Sequence, residues 1–142
     1  MKTARQLLEA YIDGAAPQSA ALFADNGALE LPYLADLGVE PRYEGPNNIG
    51  NFLTFLHEKM YPGFKFIDVK IYIDTPEQAF GEYTIHQKSG ISGMNVHQRF
   101  FGHCVAANGK IVLLREALNV LAAADGMFPG GIADILKKNQ SP

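Results

Sequence analysis

Residues 113–121 read LLREALNVL, with Arg115 and Glu116 side by side in an apolar run. Side chains of a strand alternate between two faces, so these two charges must point to opposite sides. A carboxylate on an apolar face is a candidate general acid or base. Burial lifts its pKa toward neutrality, and a neighbouring cation lowers it. It also needs a partner, because an unpaired charge out of water is costly. Histidine could share the proton, since it titrates near neutral pH. Arginine could hold a substrate oxygen, and tyrosine could donate to a carbonyl.

Asn108-Gly109 says where such partners should lie. This dipeptide between two apolar-rich runs is a strong hairpin signal, and a two-residue turn sets the register. With the pair at the tip, Ala107 meets Lys110. Counting outward, Val105 faces Val112, His103 faces Leu114, Phe101 faces Glu116 and Arg99 faces Leu118. Glu116 then sits beside Phe101 with Arg99 and His103 on its diagonals. Gln98, Phe100, Cys104, Ile111, Leu113 and Arg115 take the other side. The Glu116 side is the more core-like and is expected to face inward. A bulge in either strand would shift this register.

The candidate catalytic residues are therefore Glu116, His103 and His86, and the candidate substrate-binding residues are Arg99, Phe101, Tyr33, Glu82, Phe52 and Leu118. Each has a plainer role open to it. Arg99 could simply neutralise Glu116. Glu82 and His86 share one face of the strand at 79–88 with Phe80 and Thr84, while Tyr83 and Ile85 take the other. No tight turn says which set points inward. Tyr33, Arg42 and Tyr43 flank a loop and could serve loop packing alone. Phe52 belongs to a helical stripe that is core and pocket wall together.

The elements that carry these residues follow from periodicity and punctuation. Leu7, Leu8, Tyr11 and Ile12 predict a helix over 3–13, ended by Gly14 and Pro17. A second short helix is predicted over 18–24, stopped by Asp25-Asn26-Gly27, then a short strand over 28–33 and a loop over 34–46. Ile49, Phe52, Leu53, Leu56 and Met60 predict a third helix over 47–60. Strands are expected at 64–74, 79–88, 95–106 and 110–121. In the first of these, Ile67, Val69, Ile71 and Ile73 are expected on one side. A tail from Asp125 holds a short helical piece, IADILKK. Three helices followed by an antiparallel sheet make an α+β fold with helices on one face, and a curved sheet of that kind can enclose a small-ligand pocket.

The 142 residues predict one domain spanning 1–142, with 125–142 as its C-terminal tail. A net charge of −3 without a basic stripe argues against nucleic acid. No apolar run approaches bilayer length, so no membrane partner is expected. The single cysteine, Cys104, has no metal spacing around it and suits a reducing, cytoplasmic setting. No nucleotide fingerprint, nucleophile elbow or metalloprotease motif occurs, so no cofactor and no metal are expected. The outer sheet face is also quite apolar, which predicts a homodimer through it.

The segments LFADNGALELPY, YEGPNNIGNFL and NGKIVLLREALNVL, in this order of elements, resemble the SnoaL-like branch of the NTF2-like superfamily over about residues 3–121. The nearest flavour is the phenazine-biosynthesis A/B type, whose last strand carries Arg-Glu-x-x-Asn, here Arg115-Glu116-Ala117-Leu118-Asn119. The resemblance implies a cone-shaped α+β fold, usually dimeric, and acid–base chemistry on a small molecule without metal or organic cofactor. It implies a pocket role for Glu116 as acid or base. The assisting histidine of the phenazine-type members falls at Ile67 here. The implied reactions are cyclisation, isomerisation, dehydration or condensation of a largely apolar molecule, which could bear a carbonyl. Non-catalytic binding and a dimeric assembly or stress-related role are the alternatives.

Overall fold

The computed structural model describes residues 1–14 and 16–140, the side chains of 16, 17, 139 and 140 apart. Ser141 and Pro142, the end of the expected tail, lie outside the described residues. Helix α1 (Ala4–Asp13) starts at a capping box: Thr3 Oγ1 accepts from the Gln6 amide, and the Gln6 side chain accepts from the Thr3 amide. Its buried stripe is Leu7, Leu8, Tyr11 and Ile12, as the spacing predicts.

Helix α2 is shorter than expected, Ala16–Ala20, and strand β1 (Phe23–Glu30) begins where helix was predicted. Asp25-Asn26-Gly27 is therefore not a helix stop. It is an irregularity within β1, which runs parallel to the last strand and changes register between Phe23 and Ala28. Gly27 allows it: a Cβ there would lie 2.5 Å from the Ile111 carbonyl oxygen. Burial of Phe23 edge-on to Tyr11, at 6.2 Å between ring centroids, overrides the local helical preference.

The expected loop over 34–46 holds a 3-10 turn (Pro32–Leu37) and a short strand β2 (Arg42–Glu44) paired with β1. Helix α3 (Pro46–Phe55) opens with Pro46 in its first turn and continues as a single π turn, Leu56–Met60. Strands β3 (Ile67–Asp74), β4 (Gln78–Lys88), β5 (Asn95–Ala107) and β6 (Lys110–Leu118) form the antiparallel part of the sheet. The full order is β2-β1-β6-β5-β4-β3. Edge strand β3 does not keep its apolar residues on one buried side. Two register shifts and Asp68 at φ 53° break the alternation, and Ile67, Val69 and Ile73 are exposed.

The last strand ends at Leu118 rather than 121. Asn119 caps a further helix, α4 (Val120–Met127), by accepting from the Leu121 and Ala122 amides. The tail then forms α5 (Ile132–Gln140). Among the described residues no helix is long and apolar enough to cross a membrane. The core lies between the inner sheet face and the helices, with Leu8, Leu29, Ile49, Ile85 and Leu114 fully buried.

Candidate functional site: a buried carboxyl beside a tyrosine

The hairpin turns at Asn108-Gly109, and Ala107 pairs with Lys110 as expected. One pair further, the register shifts. Ala106 meets Ile111, but Val105 meets Leu113, leaving Val112 as an extra residue. Everything beyond moves by one. Glu116 therefore lies opposite Gly102, not Phe101, and Phe101 lies opposite Ala117.

Glu116 still points inward and is 2% exposed. Its company differs from the expectation. Arg99, Phe101 and His103 face the opposite side of the sheet, because the buried residues of β5 are the alternating set Val96, Gln98, Phe100, Gly102, Cys104 and Ala106. Neither Arg99 nor His103 is a neighbour of the carboxyl. Arg99 pairs instead with Glu82, Nε to Oε2 at 3.2 Å, and Tyr72 donates to the other Glu82 oxygen at 2.5 Å. His103 Nε2 lies 2.7 Å from Gln78 Oε1. His86 stacks on His97 at 5.2 Å, and Phe101 stacks on Phe80 at 6.0 Å. The undecided strand β4 thus turns Glu82 and His86 outward and buries Tyr83 and Ile85. Tyr33, His97, Arg99 and Phe101 line an open outer groove of about 460 Å³. Arg115, the other charge of the opening pair, reaches outward to Glu30 at 3.7 Å.

Inside, Glu116 opens onto a small chamber. Of the residues singled out in the sequence, it shares this chamber with Phe52 and Leu118. The remaining walls are α1 (Tyr11), the 3-10 turn and its start (Leu31, Leu34), the π turn and its end (Leu56, Met60, Tyr61), the sheet (Ile85, Gln98, Phe100), and α4 (Ala123, Met127). Phe66 closes one side, edge-on to Tyr83 at 4.8 Å and to Phe100 at 5.8 Å. The free space is about 30 Å³.

The carboxyl's partner is Tyr83, whose hydroxyl donates to Glu116 Oε2. The other oxygen, Oε1, takes no hydrogen bond from the described residues. Burial pushes the Glu116 pKa up to about 7, and the Tyr83 hydrogen bond opposes it. Burial and the nearby Glu116 charge raise both Tyr83 and Tyr11 well above the ordinary phenol range, so both phenols keep their protons. Gln98 is occupied elsewhere, clasping the Asn119 backbone through both its amide atoms at 3.0 and 2.9 Å. Among the described residues, one polar side-chain atom on the wall, the Tyr61 hydroxyl, is fully buried without a partner. Among the described residues no three His, Cys, Asp or Glu side chains gather where a metal could sit.

Tyr83 escaped the sequence reading, though signals for it exist. His97, Arg99 and His103 all occupy one phase of β5, which marks that phase as the wet face. A tyrosine on the dry face needs a hydrogen-bond partner, and a glycine inside a strand marks a close approach.

No family model and no curated protein matches the chain. Solved structures do. A phenazine biosynthesis-related protein from Pseudomonas aeruginosa matches at TM-score 0.73 and 19% identity, covering 87% of this chain and 84% of that one. A SnoaL-like polyketide cyclase, so assigned, from Jannaschia matches at TM-score 0.70 and 12% identity, covering 87% and 90%. An NTF2-like protein from Burkholderia thailandensis matches at TM-score 0.68 and 18% identity, covering 91% and 100%. The chain has the NTF2-like fold, the α+β cone it shares with these SnoaL-like and phenazine biosynthesis-related neighbours.

Proposed function

We propose that this protein is a cofactor-independent acid–base enzyme of the SnoaL-like kind, which moves a proton through Glu116 on a small, largely apolar, carbonyl-bearing molecule. The observation that carries the reading is a carboxyl buried among aromatic and aliphatic walls with a phenol as its partner. A pKa of about 7 populates both protonation states at neutral pH, so one group can give a proton and take it back. Tyr83 holds Oε2, which leaves Oε1 for the substrate. Cyclisation, isomerisation, dehydration and condensation all use such a step next to a carbonyl. Names of polyketide cyclase and isomerase type among the structural neighbours support the class.

The chamber's free space accommodates roughly two water molecules. Substrate binding on this reading therefore moves a wall, and the helical walls, α1, the 3-10 turn, α3 with its π turn, and α4, lie outside the sheet's hydrogen-bond ladders. The test uses a panel of enolisable ketones in D2O, with deuterium exchange at the carbon next to the carbonyl followed by NMR. Wild type is expected to accelerate exchange for a subset, and Glu116→Gln to abolish it while retaining binding. Exchange at the wild-type rate in Glu116→Gln refutes the role.

A second reading, a non-catalytic binder of the same molecule, has one observation in its favour: among the described residues, no histidine or arginine lines the chamber to relay a proton. Binding without exchange in the wild type selects it.

Two further parts of the reading concern setting. Association into a homodimer through the outer sheet face is supported by the aromatic residues exposed there, Tyr33, Tyr72 and Phe101. A reducing, cytoplasmic setting is supported by Cys104, buried and free.

A further inference from the structure

Tyr83 and Glu116 are not on adjacent strands. Tyr83 stands on β4 opposite Phe100, and Glu116 stands on β6 opposite Gly102. For the phenol to reach the carboxyl, its ring must pass over β5. It does so directly above Gly102. A Cβ built on residue 102 would lie 2.2 Å from the Tyr83 hydroxyl oxygen and 3.0 Å from ring atoms Cε1 and Cζ. Residue 102 is not among the positive-φ positions, so its backbone would accept any residue. The flanking inward positions of β5, Phe100 and Cys104, carry ordinary buried side chains. The gap is thus local to one residue, and the phenol fills it.

We infer that Gly102 is a positioning residue for the acid–base pair: its missing side chain opens the passage over β5 by which Tyr83 reaches Glu116. The inference rests on the role of Glu116 proposed above. Gly102 touches no reacting atom and acts through Tyr83. Its absent Cβ gives the phenol room to engage one oxygen of the carboxyl, and the other oxygen is free of that bond. An alanine at 102 would force the ring aside and leave the carboxyl without its donor.

The test needs no substrate. The Glu116 carboxyl is titrated by carbon NMR with labelled glutamate, its signal assigned by its loss in Glu116→Gln. The wild type is compared with Gly102→Ala, Tyr83→Phe and the double variant. The Tyr83 bond holds the carboxyl's midpoint down against burial, so its loss moves the midpoint up. Both single variants are expected to shift it upward equally, and the double variant to shift it no further. Phenylalanine at 83 also removes the oxygen that the new methyl meets, so the double variant should resist urea better than Gly102→Ala alone. A wild-type midpoint in Gly102→Ala, or additive shifts in the double, overturns the inference. If Gly102→Ala does not fold, the double variant decides alone: folding with the Tyr83→Phe midpoint supports the inference, and failure to fold overturns it. Should Glu116→Gln keep full exchange activity while Gly102→Ala moves the midpoint, the proposed function falls and the positioning stands.

Discussion

At Glu116 two effects oppose each other, and burial is the larger. The folded-state pKa rises from 4.5 to about 7, with the Tyr83 hydroxyl pulling the other way. A raised carboxyl pKa means that the native state holds its proton where the unfolded chain has lost it. The stability it favours is present below about pH 4.5 and is lost as pH rises through about 7. That displacement corresponds to about 3 kcal/mol. In urea unfolding at pH 5 and pH 8, Glu116→Gln should therefore gain stability over the wild type at the higher pH, and an identical pH slope in both proteins would count against a buried ionisable carboxyl. Arg99 gives the contrasting case. Its pair with Glu82 is half open to solvent on the other sheet face, so Arg99→Ala should cost at most about 1 kcal/mol. It should also leave the Glu116 titration where it was; a shift there would mean the two faces communicate. Glu116 was legible as a lone acid in an apolar run. Its true partner was not, because nothing in the local pattern says that a residue 33 positions away has its ring laid across a glycine.

At the scale of elements, one inserted residue decides which side chains meet. The hairpin tip is legible, since Asn-Gly sets it by backbone conformation alone, with Asn108 at φ 53° and Gly109 at φ 75°. The bulge at Val112 is not, because its cost is met by distant burial. It lets both Ile111 and Leu114 enter the core, three residues apart, where strict alternation would expose one. Likewise, Asn119 looks like a strand residue until the chain turns over it into α4. Its side chain caps that helix and its backbone is clasped by Gln98. Asn119→Ala should lower stability to urea by about 1 kcal/mol, with Asn119→Asp retaining most of it. Equal loss in both variants would show that the cap contributes nothing beyond the backbone clasp. Ser89 and Ser92 tie the far end of α4, accepting none of its amides but donating to the Gly126 and Asp125 carbonyls. The wall of the chamber is thus pinned at both ends by polar bonds and is apolar between.

The whole molecule presents one sheet with two unlike faces. The inner face carries Glu116, the one carboxyl among the described residues lining the oily chamber, and the outer face carries His86, His97, His103, Arg99, Arg115 and stacked aromatic rings. A face that mixes opposite charges with exposed Phe101 and Tyr72 suits a self-complementary contact. Light scattering at micromolar concentration should give twice the chain mass for the wild type. Phe101→Glu should shift it toward monomer while the Glu116 titration stays unchanged, since the sheet separates them. A monomeric wild type removes the dimer from the reading.

By itself the sequence determined the α+β order of elements, the tight turn at 108–109 and the inward aim of Glu116. These depend on periodicity, turn chemistry and the burial of apolar stripes, all properties of a short stretch of chain. The tertiary structure alone decided the bulge, the parallel pairing of β1 with β6, the outward turn of His86, His103 and Arg99, and the meeting of Tyr83 with Glu116. The physical reason is that a strand's two faces are nearly equivalent until other segments cover one of them. The choice is then made by which packing buries Phe23, Ile111, Leu114 and Tyr83 together, an energy that no single window of residues contains.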